Sequence, residues 1–206
     1  MTLILLHSSP AHIPTFDALR DRLAPDLALD HRVREDWLTE ARSEVPSPSL
    51  TADITAEIHS ADGPVLCTCT TLGEIAAEAG ALRIDAPMMA EAASVGGAVL
   101  MAYALDSTRA PSLTLLQDAM DAAQNNAPIH PLGLTRHWPL FEAGDTSGFA
   151  QAIADDIRRH YAALPFSSVI VLAQASMAPA AEMLADLPIP VLTSPETAFR
   201  AALARL

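Results

Sequence analysis

The sequence predicts an α/β protein in which parallel strands are covered on both faces by helices. Three observations carry this expectation. Short runs of continuous apolar residues recur, such as Thr2–Leu6 and Ser168–Ala173, and that character marks strands buried on both sides. Between the runs lie stretches with apolar residues every three or four positions, the period of an amphipathic helix. The 206 residues are 50% hydrophobic but only 4% aromatic, enough for a sizeable core lined by many small-faced helices.

In order, Thr2–Leu6 is the first strand, and His7-Ser-Ser-Pro10 turns off its end. Phe16, Leu19 and Leu23 mark a helix face; residues 27–33 are a second strand, followed by a short helical piece over Trp37–Ala41. Ser43–Ser49, with Pro46 and Pro48, reads as a loop, and Ile54 and Ile58 place a helix over Leu50–Ser60. Gly63-Pro64 introduces a strand that stops at Cys69. Thr71 and Glu74 have capping-box spacing for the next helix, which Gly80 closes. A helix over Met88–Val95 is broken by Gly96-Gly97, and Ala98–Leu105 is a strand. Asp106-Ser-Thr108 is a polar turn before a helix from Pro111 to about Gln124. Ile129–Leu134 is a strand, Arg136–Glu142 a loop, and Gly144-Asp145 precede a long helix. That helix carries Phe149, Ile153, Ile157 and Tyr161 on one stripe, with Asp155, Asp156, Arg158 and Arg159 on the wet side. Ser168–Ala173 is a strand, and Gln174–Pro179 turns into a helix ending near Leu187. Pro190–Thr193 is the last strand, and Thr193-Ser-Pro-Glu196 caps the last helix.

The bulk numbers exclude several classes. A formal net charge of −13, with no lysine at all, argues against nucleic acid and anionic membrane surfaces as partners. No stretch approaches the roughly 18 apolar residues of a membrane span. No basic-plus-apolar leader precedes Leu3–Leu6. Two cysteines two residues apart build no disulfide framework, so a cytoplasmic, reducing setting is the expectation. No metal site is expected, since no second cysteine or histidine pair has ligand spacing. The glycines form neither G-x-G-x-x-G nor a P-loop.

The chemistry concentrates at Cys69. A strand-to-helix turn is where ligands of open α/β sheets bind. The free N–H groups of a first helical turn favour an anion and lower the pKa of a nearby thiol. Val171-Leu-Ala-Gln-Ala-Ser176 has the same form as Leu66-Cys-Thr-Cys-Thr-Thr71: an apolar strand ending in small polar residues before a helix. The two stretches are expected to face one another across a cleft.

With these stretches in view, the chain resembles the aspartate/glutamate/hydantoin racemase superfamily. Cys69-Thr-Thr is similar to that family's Cys-Asn-Thr turn, and Leu172-Ala-Gln-Ala-Ser-Met177 to its second Leu-Gly-Cys motif. Ser107-Thr108, with Pro111 and Ser112, is similar to the polar turn of the second lobe. Arg83–Met88 and Pro139–Gly144 sit where similar strings occur. The resemblance implies two flavodoxin-like α/β lobes with parallel sheets around a central cleft, residues 1–95 plus 188–206 and residues 96–187. It also implies a homodimer, no cofactor, and a small carboxylate or dicarboxylate substrate. Racemases of the family use two cysteines, one on each side of the substrate carbon.

The chain departs from that pattern at Gln174, which stands where the second cysteine would be. Glutamine offers hydrogen bonds but no acid or base near neutral pH, and Cys67 lies on the same side as Cys69. One-sided chemistry by Cys69 remains: protonation of an enediolate after decarboxylation, or thiolate addition to a double bond. His7, Ser8, Thr70, Thr71, Ser107, Thr108, Gln174, Ala175 and Ser176 are the candidate substrate-binding residues. Each has a plain reading too. Cys69 is otherwise a buried small hydrophobe, and Cys67 is core. Thr71 and Ser176 are caps, as Ser107, Thr108 and Gln174 also can be. His7 and His137 are exposed loop residues, and Asp155, Asp156, Arg158 and Arg159 a solvated face. A non-catalytic carboxylate-binding member, or a plain flavodoxin-like domain, are the competing readings of the whole.

Overall fold

The computed structural model describes residues 1–42, 46–163 and 166–206. The chain forms two compact units, Met1–Pro87 with Pro195–Leu206, and Met88–Ser194. In chain order the first carries β1 (Thr2–His7), α1 (Ile13–Leu23), β2 (Ala28–Val33), α2 (Glu35–Ala41), α3 (Pro48–His59), β3 (Val65–Cys67), α4 (Gly73–Glu78) and β4 (Leu82–Arg83). Then come α5 (Ala86–Val95), β5 (Ala98–Tyr103), α6 (Asp106–Ala122), β6 (Ile129–Gly133), α7 (Trp138–Glu142), α8 (Thr146–Ala163), β7 (Ser167–Leu172), α9 (Ala180–Met183) and β8 (Val191–Thr193). Helix α10 (Ser194–Leu203) returns the chain to the first unit, where Phe199 packs against Phe16 of α1 with ring centroids 6.4 Å apart.

Each unit holds one four-stranded sheet, ordered β2-β1-β3-β4 in the first and β6-β5-β7-β8 in the second, with every pairing parallel. The α/β class with parallel sheets and flanking helices is therefore observed. Alternation along β5 shows why its run is apolar throughout. Leu100 and Ala102 join Phe149, Ile153 and Ile157 of α8 on one face; Val99, Met101 and Tyr103 join Met88, Met89, Leu116 and Met120 on the other. In the first unit Ile4, Leu6, Val65 and Cys67 pack on Trp37, Leu50, Ile54 and Ile58.

Several elements differ from expectation. Strand β3 stops at Cys67, two residues before Cys69. Its register pairs Leu6 with Cys67, so Cys69 falls level with Ser8, past the last strand residue of β1. A turn closed by Gly73 N–H to Thr70 O (3.1 Å) follows, and α4 begins only at Gly73 with Leu72 as N-cap. Thr71 is thus not the cap, and Glu74 is the second helical residue. Helix α6 begins at Asp106, five residues before Pro111, so Ser107 and Thr108 lie in its first turn and the proline inside it. Residues 138–142, expected as loop, form α7, where Trp138 stacks on Phe141 at 4.8 Å.

Helix α3 starts at Pro48 because Ser47 Oγ accepts the Leu50 N–H (3.1 Å); residues 43–45 of the expected loop lie outside the described residues. Helix α9 ends at Met183, not near Leu187. Ser176 sits inside a 3-10 turn, Ala175–Met177, whose N-cap is Gln174. Asp156 is buried, because it lies seven residues after Phe149 and so on the buried stripe. Its carboxylate receives Arg136, Arg159 and His137, the last at 2.6 Å. No helix among the described residues is long and apolar enough to cross a membrane.

Candidate functional site

The candidate residues divide between the units. His7, Ser8, Cys69, Thr70 and Thr71 follow the carboxyl ends of β1 and β3; Ser107, Thr108, Gln174, Ala175 and Ser176 follow those of β5 and β7. The parallel topology brings each set together, because both strands of a neighbouring pair end on the same edge of their sheet.

In the first unit, Cys69 is 6% exposed. Its sulfur is hydrogen-bonded by the Ser8 hydroxyl and by the backbone N–H groups of Leu72 and Thr71. These donors favour a thiolate, yet burial outweighs them, and the Asp85 carboxylate adds to burial; the thiol is pushed above its ordinary value. The expected lowering by a helix N-terminus is not what this environment produces. Cys69 belongs to the buried apolar cluster that also holds Leu6, Leu72 and Ala76, and that burial outweighs the donors of the turn. Cys67 is core, with its thiol donating to Cys69 O at 3.6 Å, and burial raises its pKa as well. Both cysteines are free.

Asp85 was not foreseen. It is fully buried and takes two bonds from Arg83, Nε to Oδ1 and Nη2 to Oδ2, both 2.9 Å. A Cβ on Gly73 would come within 3.0 Å of Arg83 Nε, so α4 opens on glycine to let this pair pass beneath it.

His7 is the last residue of β1, and it is buried (1% exposed). Its two ring nitrogens are both engaged, Nδ1 with Thr68 Oγ1 and Nε2 with His31 Nδ1, each at 2.8 Å. The proton positions follow from counting. The Thr68 hydroxyl gives its one proton to Leu6 O (3.2 Å), so His7 Nδ1–H must donate to Oγ1. Nε2 is then an acceptor, and His31 Nδ1–H donates to it. His31 Nε2 faces Asp17 Oδ1 at 3.5 Å. Burial, with His12 and His31 nearby, lowers the His7 pKa to about 3, so the ring is neutral. It braces the strand end that carries Ser8. Thr68 and His31 carried no motif that reading the chain would single out.

In the second unit, Gln174 is 7% exposed and is the second residue past β7, as Cys69 is past β3. Its Oε1 accepts the N–H groups of Ala104 (2.6 Å) and Leu105 (3.1 Å), just past the end of β5. Thr108 is buried in the first turn of α6 and Ser107 half-buried; Ala175 is buried and Ser176 half-buried in the turn after Gln174. Among the described residues no group of three His, Cys, Asp or Glu side chains is placed to hold a metal ion.

No protein-family model and no curated protein matches the sequence. Solved structures do match. Glutamate racemase from Francisella tularensis, in complex with D-glutamate, gives a TM-score of 0.73 at 10% identity over 98% of this chain and 80% of that one. Allantoin racemase from Pseudomonas fluorescens gives 0.70 at 16% identity over 99% and 90%. Arylmalonate decarboxylase gives 0.57 at 17% identity over 100% and 92%. At these identities the likeness is one of fold.

Proposed function

We propose that this chain is a member of the Asp/Glu racemase superfamily, a cofactor-independent isomerase or lyase acting on a small carboxylic acid through Cys69 alone. The observation that carries the reading is the setting of that sulfur: a buried, protonated thiol at the carboxyl edge of its sheet, with a hydroxyl and two backbone N–H groups directed at it. A thiol held above its ordinary pKa is suited to give a proton rather than to wait as a thiolate. In a decarboxylation the bond to the departing carboxylate breaks, its electron pair stays on the substrate as an enediolate, and CO2 leaves. The Cys69 S–H then protonates carbon. The three hydrogen bonds receive the thiolate left behind, until solvent reprotonates it. Isomerisation by thiolate addition to a double bond is the other reaction open to one sulfur, and the raised pKa makes it the less favoured.

Gln174 supplies hydrogen bonds and no proton transfer. Thr70, Thr71, Ser107 and Thr108 are the further groups proposed for carboxylate oxygens. The test is deuterium incorporation from heavy water into a panel of α-substituted mono- and dicarboxylic acids. Incorporation with one configuration, lost in Cys69→Ser, is the expected result. Racemic labelled product would overturn one-sided chemistry.

A second reading has its own support. A buried thiol of raised pKa, in a chain that carries Gln174 where the family's second cysteine would stand, also suits a protein that binds a small carboxylate without turning it over. Saturable carboxylate binding with no turnover of any panel member, in a folded sample, would decide for it.

A further inference from the structure

Two consecutive backbone N–H groups, those of Ala104 and Leu105, converge on a single oxygen in the second unit. That is the arrangement by which a protein holds an anionic oxygen without spending a charged side chain. Both donors belong to buried residues at the end of β5, where α6 begins one residue later. The oxygen they hold belongs to Gln174. Its identity follows from the geometry. An atom receiving two N–H donors at 2.6 and 3.1 Å is the carbonyl oxygen of the carboxamide, not its nitrogen, so the orientation of the amide is fixed. The Nε2 group then carries two donor protons that the backbone pair does not use, and the small remaining exposure of the side chain leaves them open to solvent and to a ligand.

We infer that Gln174 is the built-in occupant of an anion cradle. Its carboxamide oxygen holds the place that a ligand's carboxylate oxygen would take on Ala104 and Leu105, and its NH2 group is what this strand end offers a ligand instead. A carboxylate or carbonyl oxygen is accepted through a neutral amide, and the backbone pair has no capacity left for an anionic group. A carboxylate of the substrate, whether the one that leaves as CO2 or the one that takes up the enediolate charge, therefore meets a neutral amide here and not the backbone pair. That role toward a substrate rests on the proposed reading of the chain as acting on a small carboxylic acid; the closed cradle does not.

The experiment is an acetate and a malonate titration of the full chain, followed at the backbone amide resonances of Ala104 and Leu105. In the unmodified protein neither resonance shifts saturably with either anion. In Gln174→Ala both shift saturably, and acetate binds at least tenfold more tightly than to the unmodified protein. Saturable shifts at these two amides in the unmodified protein overturn the inference, and so does a folded Gln174→Ala whose amides do not respond. Should Gln174→Ala not fold, Gln174→Glu tests the same point. Its carboxylate stays on the same N–H pair, moves both amide protons downfield and still excludes acetate; acetate-induced shifts there overturn the inference. Turnover enters none of these readings, so failure here and failure of the Cys69 chemistry are separately visible.

Discussion

The two units solve one construction problem with different atoms. In each, the third strand in the chain order of its unit pairs with the first, and the residue two positions past it lies level with the residue just past that first strand. In the first unit this brings together Cys69 and Ser8; in the second, Gln174 and Ala104. The first pair joins a sulfur to a hydroxyl, a soft contact that leaves the thiol able to exchange its proton. The second joins a carboxamide oxygen to two backbone N–H groups, a contact that closes on itself. Topology therefore fixes where a side chain is delivered, and side-chain size and polarity decide whether it remains available for chemistry.

The largest expected difference between the units is in rate. Cys69→Ser should lower deuterium incorporation about 10²- to 10⁴-fold, the range for losing a general acid. Gln174→Ala should cost far less, since it removes only hydrogen bonding. Equal losses from the two would break the comparison.

Acid should separate the units next. His7, with its pKa lowered to about 3, and His12, lowered to about 4, stay neutral when folded but take protons near the ordinary 6.5 when unfolded. The unfolded chain binds more protons between these values, so stability is lost as pH falls from about 6.5 towards 3–4. The slope is roughly 1.4 kcal/mol per pH unit for each histidine. Denaturant unfolding at a series of pH values should show it, and His7→Asn should flatten it by about one histidine's share. No flattening would mean that the His31–His7–Thr68 chain is looser than its 2.8 Å contacts indicate.

A smaller effect belongs to the second unit. Gln174→Ala orphans the N–H groups of Ala104 and Leu105 and should cost about 2 kcal/mol of unfolding free energy, read from the denaturation midpoint. Smallest is Ser8→Ala. It removes one weak bond to sulfur, should cost about 0.5–1 kcal/mol, and should raise the thiol's pKa further in a pH titration of thiolate absorbance. A fall would show that Ser8 accepts from the thiol instead of steadying the thiolate.

What the sequence discloses here is side-chain pattern. The strand-helix alternation, the apolar runs of β1, β5 and β7, and the delivery of Cys69 and Gln174 to sheet edges were legible, because periodicity and small polar residues record them. Gly80, with φ of 97°, ends its helix as a glycine at that place should. Helix starts were less legible. Asp106 and Gly73 open α6 and α4 through turns closed by backbone groups, and no capping side chain announces either one. Asp156 misled because its charge suggests water, while its position seven residues from Phe149 puts it inside; only Arg136, Arg159 and His137, from elsewhere or one turn on, make that tolerable. The cradle of Ala104 and Leu105 was invisible because backbone N–H groups carry no residue type. The pKa of Cys69 was misjudged for a related reason: the donors could be guessed from a turn, the burial could not.

The return of α10 to the first unit leaves the chain with only two crossings, after Pro87 and after Ser194. The first unit is therefore written in two pieces and the second in one. A circular permutant opened between Pro87 and Met88 would rewrite each unit as one uninterrupted stretch. Each sheet could then be produced from its own gene segment, the thiol-bearing half free of the amide-bearing half.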